Sequence, residues 1–304
     1  HGVDPITAIQ MGSINSAEAY RIDHLVGSIS PGRFADILLI DDLVKFEIDT
    51  VIAKGELVVE QGELAIELTP PLRSDILLNT MKLNKVRAED LCVHTDLNKE
   101  HGHALSLDVD FDIPFVRRAR NVVLKNKNGI VLPDLENDVL YATVIERYGK
   151  THGKPAVGFC SGWKLKAGAM ASSCAPDDNN VICIGTNSED MAVAINHLRS
   201  IGGGQVIVKD GEILGQLPLP IGGIVSDLDP KLMAMEEEKL LAIPRELGSD
   251  LPDPMFYMCC LQITAIPDFA ITDLGIIDFA KQAIAEPVFR CGCSHGKIDP
   301  NAIH

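Results

Sequence analysis

The stretch from Val181 to Leu214 narrows the fold class more tightly than any other part of the chain. Val181 to Ile184 is a short apolar run with β-branched residues, which reads as a buried strand. Ser188 is placed to cap a helix in which Met191, Ala194, Ile195 and Leu198 form one apolar stripe. Gly202-Gly203-Gly204 ends that helix rather than cradling a phosphate, because it follows the helix instead of preceding it. Gln205 to Val208 and Glu212 to Leu214 flank Asp210-Gly211, the dipeptide that a two-residue hairpin prefers. The order strand, helix, strand, strand predicts an α+β domain.

Further elements extend this pattern in both directions. Ser106 to Asp112 alternates apolar and polar, as a half-buried strand does, and Val122 to Leu124 and Val139 to Ile145 predict further strands. Asp229-Pro230 opens a helix to about Ile243, where Pro244 breaks or kinks it for want of an N–H. Residues 263–304 are less regular, and the last dozen read as a frayed tail. Toward the start, Asp4 caps a helix with Pro5 at its first position, and Ser16 starts a second short helix, Ala17 to Ile22. Ser30-Pro31-Gly32 is a turn, Ala35 to Ile40 a strand interrupted only by Asp36, and Lys54-Gly55-Glu56 a tight hairpin between two apolar runs. Thr69-Pro70-Pro71 reads as a linker, since two prolines hold the chain extended.

Charge and cysteine usage exclude several classes of function. Lys and Arg number 27 against 43 Asp and Glu, a net charge of −16. Such a surface repels phosphate backbones and anionic lipid, so neither nucleic acid nor membrane is an expected partner, while a neutral or cationic small molecule is not repelled. No run of about 18 apolar residues is present to cross a bilayer, and no basic segment followed by an apolar one marks a secretory signal. Several of the eight cysteines sit in apolar runs such as Ile182-Cys183-Ile184, the pattern of reduced, buried thiols in a cytoplasmic protein. The start at His1 rather than Met predicts a fragment.

Two blocks of residues carry a family resemblance. The first runs from Gly2-Val3-Asp4-Pro5 through Asn15-Ser16-Ala17-Glu18 to Gly27-Ser28-Ile29-Ser30-Pro31-Gly32-Arg33-Phe34-Ala35-Asp36. Its closing part resembles the segment in many amidohydrolases where the chain leaves the (β/α)8 barrel and returns to a small β-sandwich. The second block comprises Gly168 to Ser173, Asp177-Asp178-Asn179-Asn180, Gly185 to Met191, Gly202 to Gln205 and Leu217 to Asp227. It resembles the C-terminal domain peculiar to adenine deaminases. The resemblance implies an α+β chain in which residues 1–23 are terminal barrel helices, residues 24–71 part of a β-sandwich, and residues 72–304 a separate α+β C-terminal domain.

The resemblance also implies a reaction: hydrolysis of adenine to hypoxanthine and ammonia by a homo-oligomeric enzyme with two divalent ions, Mn or Fe. Those ions lower the pKa of a bound water and stabilise the tetrahedral charge that follows its attack. By motif order this chain begins after the last metal ligand, so little activity is expected of it alone. Many members carry H-D-S-H-N where Pro176-Asp177-Asp178-Asn179-Asn180 stands, so any role of those histidines does not transfer. Asp177, Asp178, Asn179 and Asn180 are the substrate-binding candidates, because their carboxylates and amides suit the ring nitrogens and amine of adenine. The same residues also serve ordinary turns. Two rival readings stand beside this one: a non-catalytic module for assembly or for covering an active site, and an amidohydrolase acting on another cyclic amide. The second block argues against the latter.

Three other groups invite a site. His101-Gly102-His103 has the spacing of a metal-ligating pair, yet it follows the barrel-closing motif and lies among charges, as a solvated loop does. Cys291, Cys293 and His295 bring soft ligands together, but the spacing fits no standard zinc module and a disordered tail is expected. Arg147 can hold an anion at a strand end, although a surface pair of Glu146 and Arg147 is the ordinary reading.

Overall fold

A computed structural model of the chain describes residues 2–68, 75–96, 100–109, 117–151, 154–176, 178–266 and 268–289. The chain is α+β and divides into two compact units, His1–Leu72 and Arg73–His304.

The first unit opens with helices α1 (Pro5–Gly12) and α2 (Ile14–Ala19). The Asp4 side chain accepts from Thr7 N at 3.0 Å, as the Asp-Pro pair predicts. Ser16 does not start the second helix. It lies inside it, with its hydroxyl donating back to the carbonyl of Met11 at 2.7 Å. A four-stranded antiparallel sheet follows in the order β1 (Ile37–Asp42), β2 (Glu47–Ala53), β3 (Glu56–Glu60) and β4 (Glu63–Leu64). Asp36 stands just before β1 rather than within it, and is exposed. Its carboxylate accepts from Lys54 N at 2.7 Å and so ties down the turn between β2 and β3.

The second unit is built on one large mixed sheet. Its strands in chain order are β5 (Val93–His94), β6 (His101–Val109), β7 (Arg117–Lys127), β8 (Ile130–Val131), β9 (Val139–Ile145), β10 (Ala156–Ser161), β11 (Ala169–Ser172), β12 (Val181–Gly185), β13 (Gly204–Lys209) and β14 (Glu212–Pro218). In space the order is β14-β13-β11-β12-β9-β10-β6-β7-β8-β5. Neighbours pair antiparallel except β10 and β6, which run parallel. Helix α3 (Ser188–Ser200) connects β12 to β13, and α4 (Pro230–Glu246) and α5 (Pro254–Cys260) follow β14. A small sheet of β15 (Phe269–Thr272), β16 (Gly275–Asp278) and β17 (Ala283–Ala285) comes next, and β18 (Val288–Phe289) returns to pair with β6.

Strand periodicity explains the core. All seven residues of β9 are buried, and alternate ones feed opposite faces. Leu140, Ala142 and Val144 join a cluster with Met170, Ile182, Ile184 and Ile207, covered by Trp163, α4, α5 and the small sheet. Val139, Tyr141 and Ile145 join Ala171, Val181, Cys183 and Val206 on the other face, covered by Met191, Ala194, Ile195 and Leu198 of α3. The apolar stripe read on that helix is therefore its sheet-facing side.

Several expectations need correction. Asn187, not Ser188, caps α3, its side chain accepting from Asp190 N at 2.7 Å. The strand expected over Ser106 to Asp112 is β6, which starts at the exposed His101 and is otherwise largely buried on both faces, because Leu105, Leu107 and Val109 enter one core cluster and Ala104 the other; Asp110 to Asp112 fall outside the described residues. His101 and His103 are thus strand residues and not part of a loop, with the His103 ring centred 6.0 Å from that of Phe289. Pro244 lies within α4, which continues to Glu246. A proline so near the end costs the helix only one late hydrogen bond. The stretch after residue 263, read as irregular, holds the three short strands of the small sheet. The linker prolines Pro70 and Pro71 and the terminal dozen residues fall outside the described residues.

Candidate functional site

The loop between β11 and β12 is assembled from its own polar side chains. Asn179 takes a left-handed backbone (φ +52), which Asn tolerates better than most residues. Its N–H donates to the carbonyl of Ala175 at 2.7 Å, and its side-chain oxygen accepts from Ala175 N at 3.1 Å. The Asp178 carboxylate accepts from Asn180 N at 2.9 Å and from the Asn180 amide at 3.0 Å. Asn180 is buried, Asn179 half-buried and Asp178 exposed. Asp177, the fourth candidate, falls outside the described residues.

Beneath this loop sits Arg147, which the sequence suggests as one half of a surface pair. It is instead only 1% exposed, and Glu146 beside it is 8% exposed. The two turn to different partners. Glu146 accepts from the N–H groups of Tyr148 (2.5 Å), Lys150 (2.9 Å) and Thr151 (3.2 Å), closing the turn that follows β9. Arg147 donates from Nε to the carbonyl of Asn179, from one terminal nitrogen to Thr80 Oγ1 (2.7 Å), and from the other to Gly222 O (2.8 Å) and the Tyr148 hydroxyl (3.2 Å). The guanidinium carbon lies 4.5 Å from the centre of the Tyr148 ring, a cation–π contact. Burial lowers the Arg147 pKa from its ordinary value, against the opposing pull of the Tyr148 hydroxyl and the Asp178 carboxylate. A guanidinium stays charged in proteins.

A second loop joins this centre. Gly222 N donates to Leu77 O at 2.6 Å, and Gly223 packs so close to Arg147 that a Cβ there would lie 2.4 Å from a guanidinium nitrogen. The residues around 77–81, 146–148, 178–180 and 220–223 therefore meet at one buried cation. Spacing along the chain conceals this: only the charge of Arg147 at a strand end and the paired glycines hint at it.

The described residues offer no fit for the pair of divalent cations. Among them, no group of three His, Cys, Asp or Glu side chains converges as a metal site would require. Cys291, Cys293 and His295 fall outside the described residues. No helix among the described residues is long and apolar enough to cross a membrane.

Comparison with known proteins first sets the class. Residues 1–58 match the amidohydrolase family. Residues 115–283, more than half of the chain, match the adenine deaminase C-terminal domain, and the chain belongs to that family. It is 51% identical over 287 residues to adenine deaminase 1 of Desulfotalea psychrophila, covering 94% of this chain and 48% of the relative. The same identity and coverage hold for adenine deaminase 4 of Rhizobium meliloti, and 37% identity over 287 residues, again 94% and 48%, for adenine deaminase of Methanococcoides burtonii. The chain spans about half the length of these curated relatives, 48% in each case.

Proposed function

We propose that this chain works in the hydrolytic deamination of adenine to hypoxanthine and ammonia, supplying the C-terminal domain to an active site whose metal ligands lie outside residues 1–304. The observation that carries the reading is identity of 51% spread over 94% of the chain to proteins named adenine deaminase. In this reading α1 and α2 are the terminal helices of a (β/α)8 barrel, and the sheet β1–β4 is part of a β-sandwich. The apolar surface of that unit supports the assignment: Ile29 is 81% exposed and Tyr20 79%, and both line a cavity of about 490 Å³. Exposed apolar surface of this kind marks a place where more polypeptide packs.

The two divalent ions, Mn or Fe, would supply an activated water and charge stabilisation, and no step through them is assigned to residues of this chain. The loop of Asp177, Asp178, Asn179 and Asn180 is the part proposed to face adenine. The enzyme is proposed to be a cytoplasmic homo-oligomer that takes neither nucleic acid nor membrane as partner, in keeping with the net charge of −16.

The test is ammonia release from adenine by residues 1–304 alone, and by the same chain fused to the metal-binding barrel of one of the relatives and loaded with Mn. Turnover by the fusion only is the expected result. Stoichiometric Mn or Fe on residues 1–304 with ammonia release would relocate the chemistry to this chain. A fusion that binds Mn yet never deaminates adenine would leave the chain as a non-catalytic module.

A further inference from the structure

Two cysteines meet where the loop between β11 and β12 begins. Cys174 is half-buried just after β11, and Cys259, 9% exposed, lies in α5; both pack in the same core cluster. The Cys259 thiol donates to the carbonyl of Cys174 at 2.7 Å. A carbonyl oxygen lies about 2.4 Å from its own Cα, so the Cys259 sulfur stands no more than about 5 Å from the Cα of Cys174. Disulfide-bonded residues have Cα atoms about 4.4–6.8 Å apart, a separation that this approach brings within reach of small local shifts. The Ser172 hydroxyl shares the spot, donating to Cys174 O and accepting from Cys174 N, each at 3.1 Å. Cys160 and Cys183, by contrast, belong to different core clusters on opposite faces of the sheet.

We propose that Cys174 and Cys259 form a dithiol switch, which hydrogen peroxide oxidises to a disulfide and which thereby shifts the loop that carries Asn179. The Cys174 thiolate attacks the O–O bond of the peroxide and becomes a sulfenic acid, with hydroxide leaving. The Cys259 thiol then displaces that hydroxyl as water and the S–S bond forms. Both thiols are oxidised, and one peroxide is reduced to two waters. Cys174 reacts first: it is the more exposed of the two, and the Arg147 guanidinium opposes the burial that raises its pKa. The loop is tied to Cys174 through the next residue. Ala175 N donates to Asn179 Oδ1 at 3.1 Å, and Asn179 N donates to Ala175 O at 2.7 Å. Drawing Cys174 toward α5 therefore pulls on Asn179, whose carbonyl accepts from Arg147 Nε.

Residues 1–304 treated with hydrogen peroxide, capped with N-ethylmaleimide and digested without reductant should yield a peptide pair joined from Cys174 to Cys259, which dithiothreitol separates. Cys259→Ser should stop at a sulfenic acid on Cys174, trapped by dimedone, and Cys174→Ser should leave Cys259 a thiol. Amide exchange at Ala175 and Asn179 should change on oxidation and revert on reduction. Four results would overturn the proposal: both thiols unmodified, a sulfinic acid on Cys174 beside an intact Cys259 thiol, a bond to Cys260 instead, or a cross-link that leaves exchange at both amides unaltered. The consequence for adenine rests on the proposed deaminase reading. In the active fusion, the disulfide should raise KM for adenine at least about two-fold, reversibly, and not in the Cys259→Ser fusion treated alike. An unmoved KM overturns the switch and leaves the deaminase reading intact. A fusion with no turnover before oxidation removes that reading, and the cross-link and the exchange then decide the switch by themselves.

Discussion

Ser173 and Gly204 exchange two hydrogen bonds. The Ser173 N–H donates to Gly204 O at 3.0 Å, and Gly204 N–H donates to the Ser173 hydroxyl at 2.7 Å. That hydroxyl donates in turn to Gly223 O at 2.6 Å, so one fully buried side chain joins the end of β11, the start of β13 and the loop against Arg147. Ser173→Ala leaves a buried N–H and a buried carbonyl without this partner. The expected cost is about 1–3 kcal/mol, read as a lower midpoint in chemical denaturation. A midpoint equal to that of the unmodified chain would show that water or a shifted loop replaces the hydroxyl.

Gly223 and Gly211 both take left-handed backbone, with φ +75 and φ +77, but their surroundings differ. A Cβ on Gly211 meets nothing within 4 Å, whereas one on Gly223 strikes the Arg147 guanidinium. Gly211→Ala should cost about 1–2 kcal/mol, the backbone penalty alone. Gly223→Ala should cost that and the displacement of a buried cation, and its loss of stability should be the larger by at least ~1 kcal/mol. Equal melting temperatures for the two variants would refute the close packing at Arg147.

The turn closed by Glu146 should respond to acid. Burial pushes its carboxyl up, but hydrogen bonds from Thr151, Tyr148 and Lys150 together outweigh that and hold it below its ordinary range. A depressed folded pKa contributes stability above the unfolded value of about 4.3, and that contribution is lost as pH falls through the folded value. The stability advantage of the unmodified chain over Glu146→Gln should therefore be constant above about pH 6 and shrink steadily below about pH 4. Parallel melting profiles across that range would count against the carboxylate.

Thiol labelling should sort the cysteines by depth. Cys160 and Cys183 lie in the two core clusters, and burial pushes both thiols well above their ordinary pKa. Cys92 is half-buried, 3.7 Å from the Ser188 hydroxyl. Iodoacetamide at mildly alkaline pH should modify Cys92 in the native chain and reach Cys160 and Cys183 only on unfolding, as peptide mapping would show. Early modification of Cys183 would mean that α3 lifts from the sheet.

Much of the fold was readable because its signals are local. Val139 to Ile145 is apolar but for Thr143 and is β9 residue for residue, and Asp210-Gly211 turns between β13 and β14 with φ +52 and +77. The misreadings came where a neighbour decided. His101 and His103 look like loop residues until β7 pairs with them, and the strands of the small sheet are only three or four residues long, too short for a period to show. The family resemblance carried by Gly168 to Asp227 was legible for the same reason that its turns were: glycines and prolines at fixed offsets leave a local trace.

The sequence by itself determined that this is an α+β chain with a buried sheet, hairpins at Lys54-Gly55 and Asp210-Gly211, and membership of the adenine deaminase C-terminal domain family. Only the tertiary structure decided that Glu146 and Arg147 go inward, and that four segments distant in sequence converge on one guanidinium. The reason is the range of the forces involved. Periodicity and turn geometry are properties of a few adjacent residues, whereas burying a cation requires acceptors that the chain can bring together only after the sheet has formed.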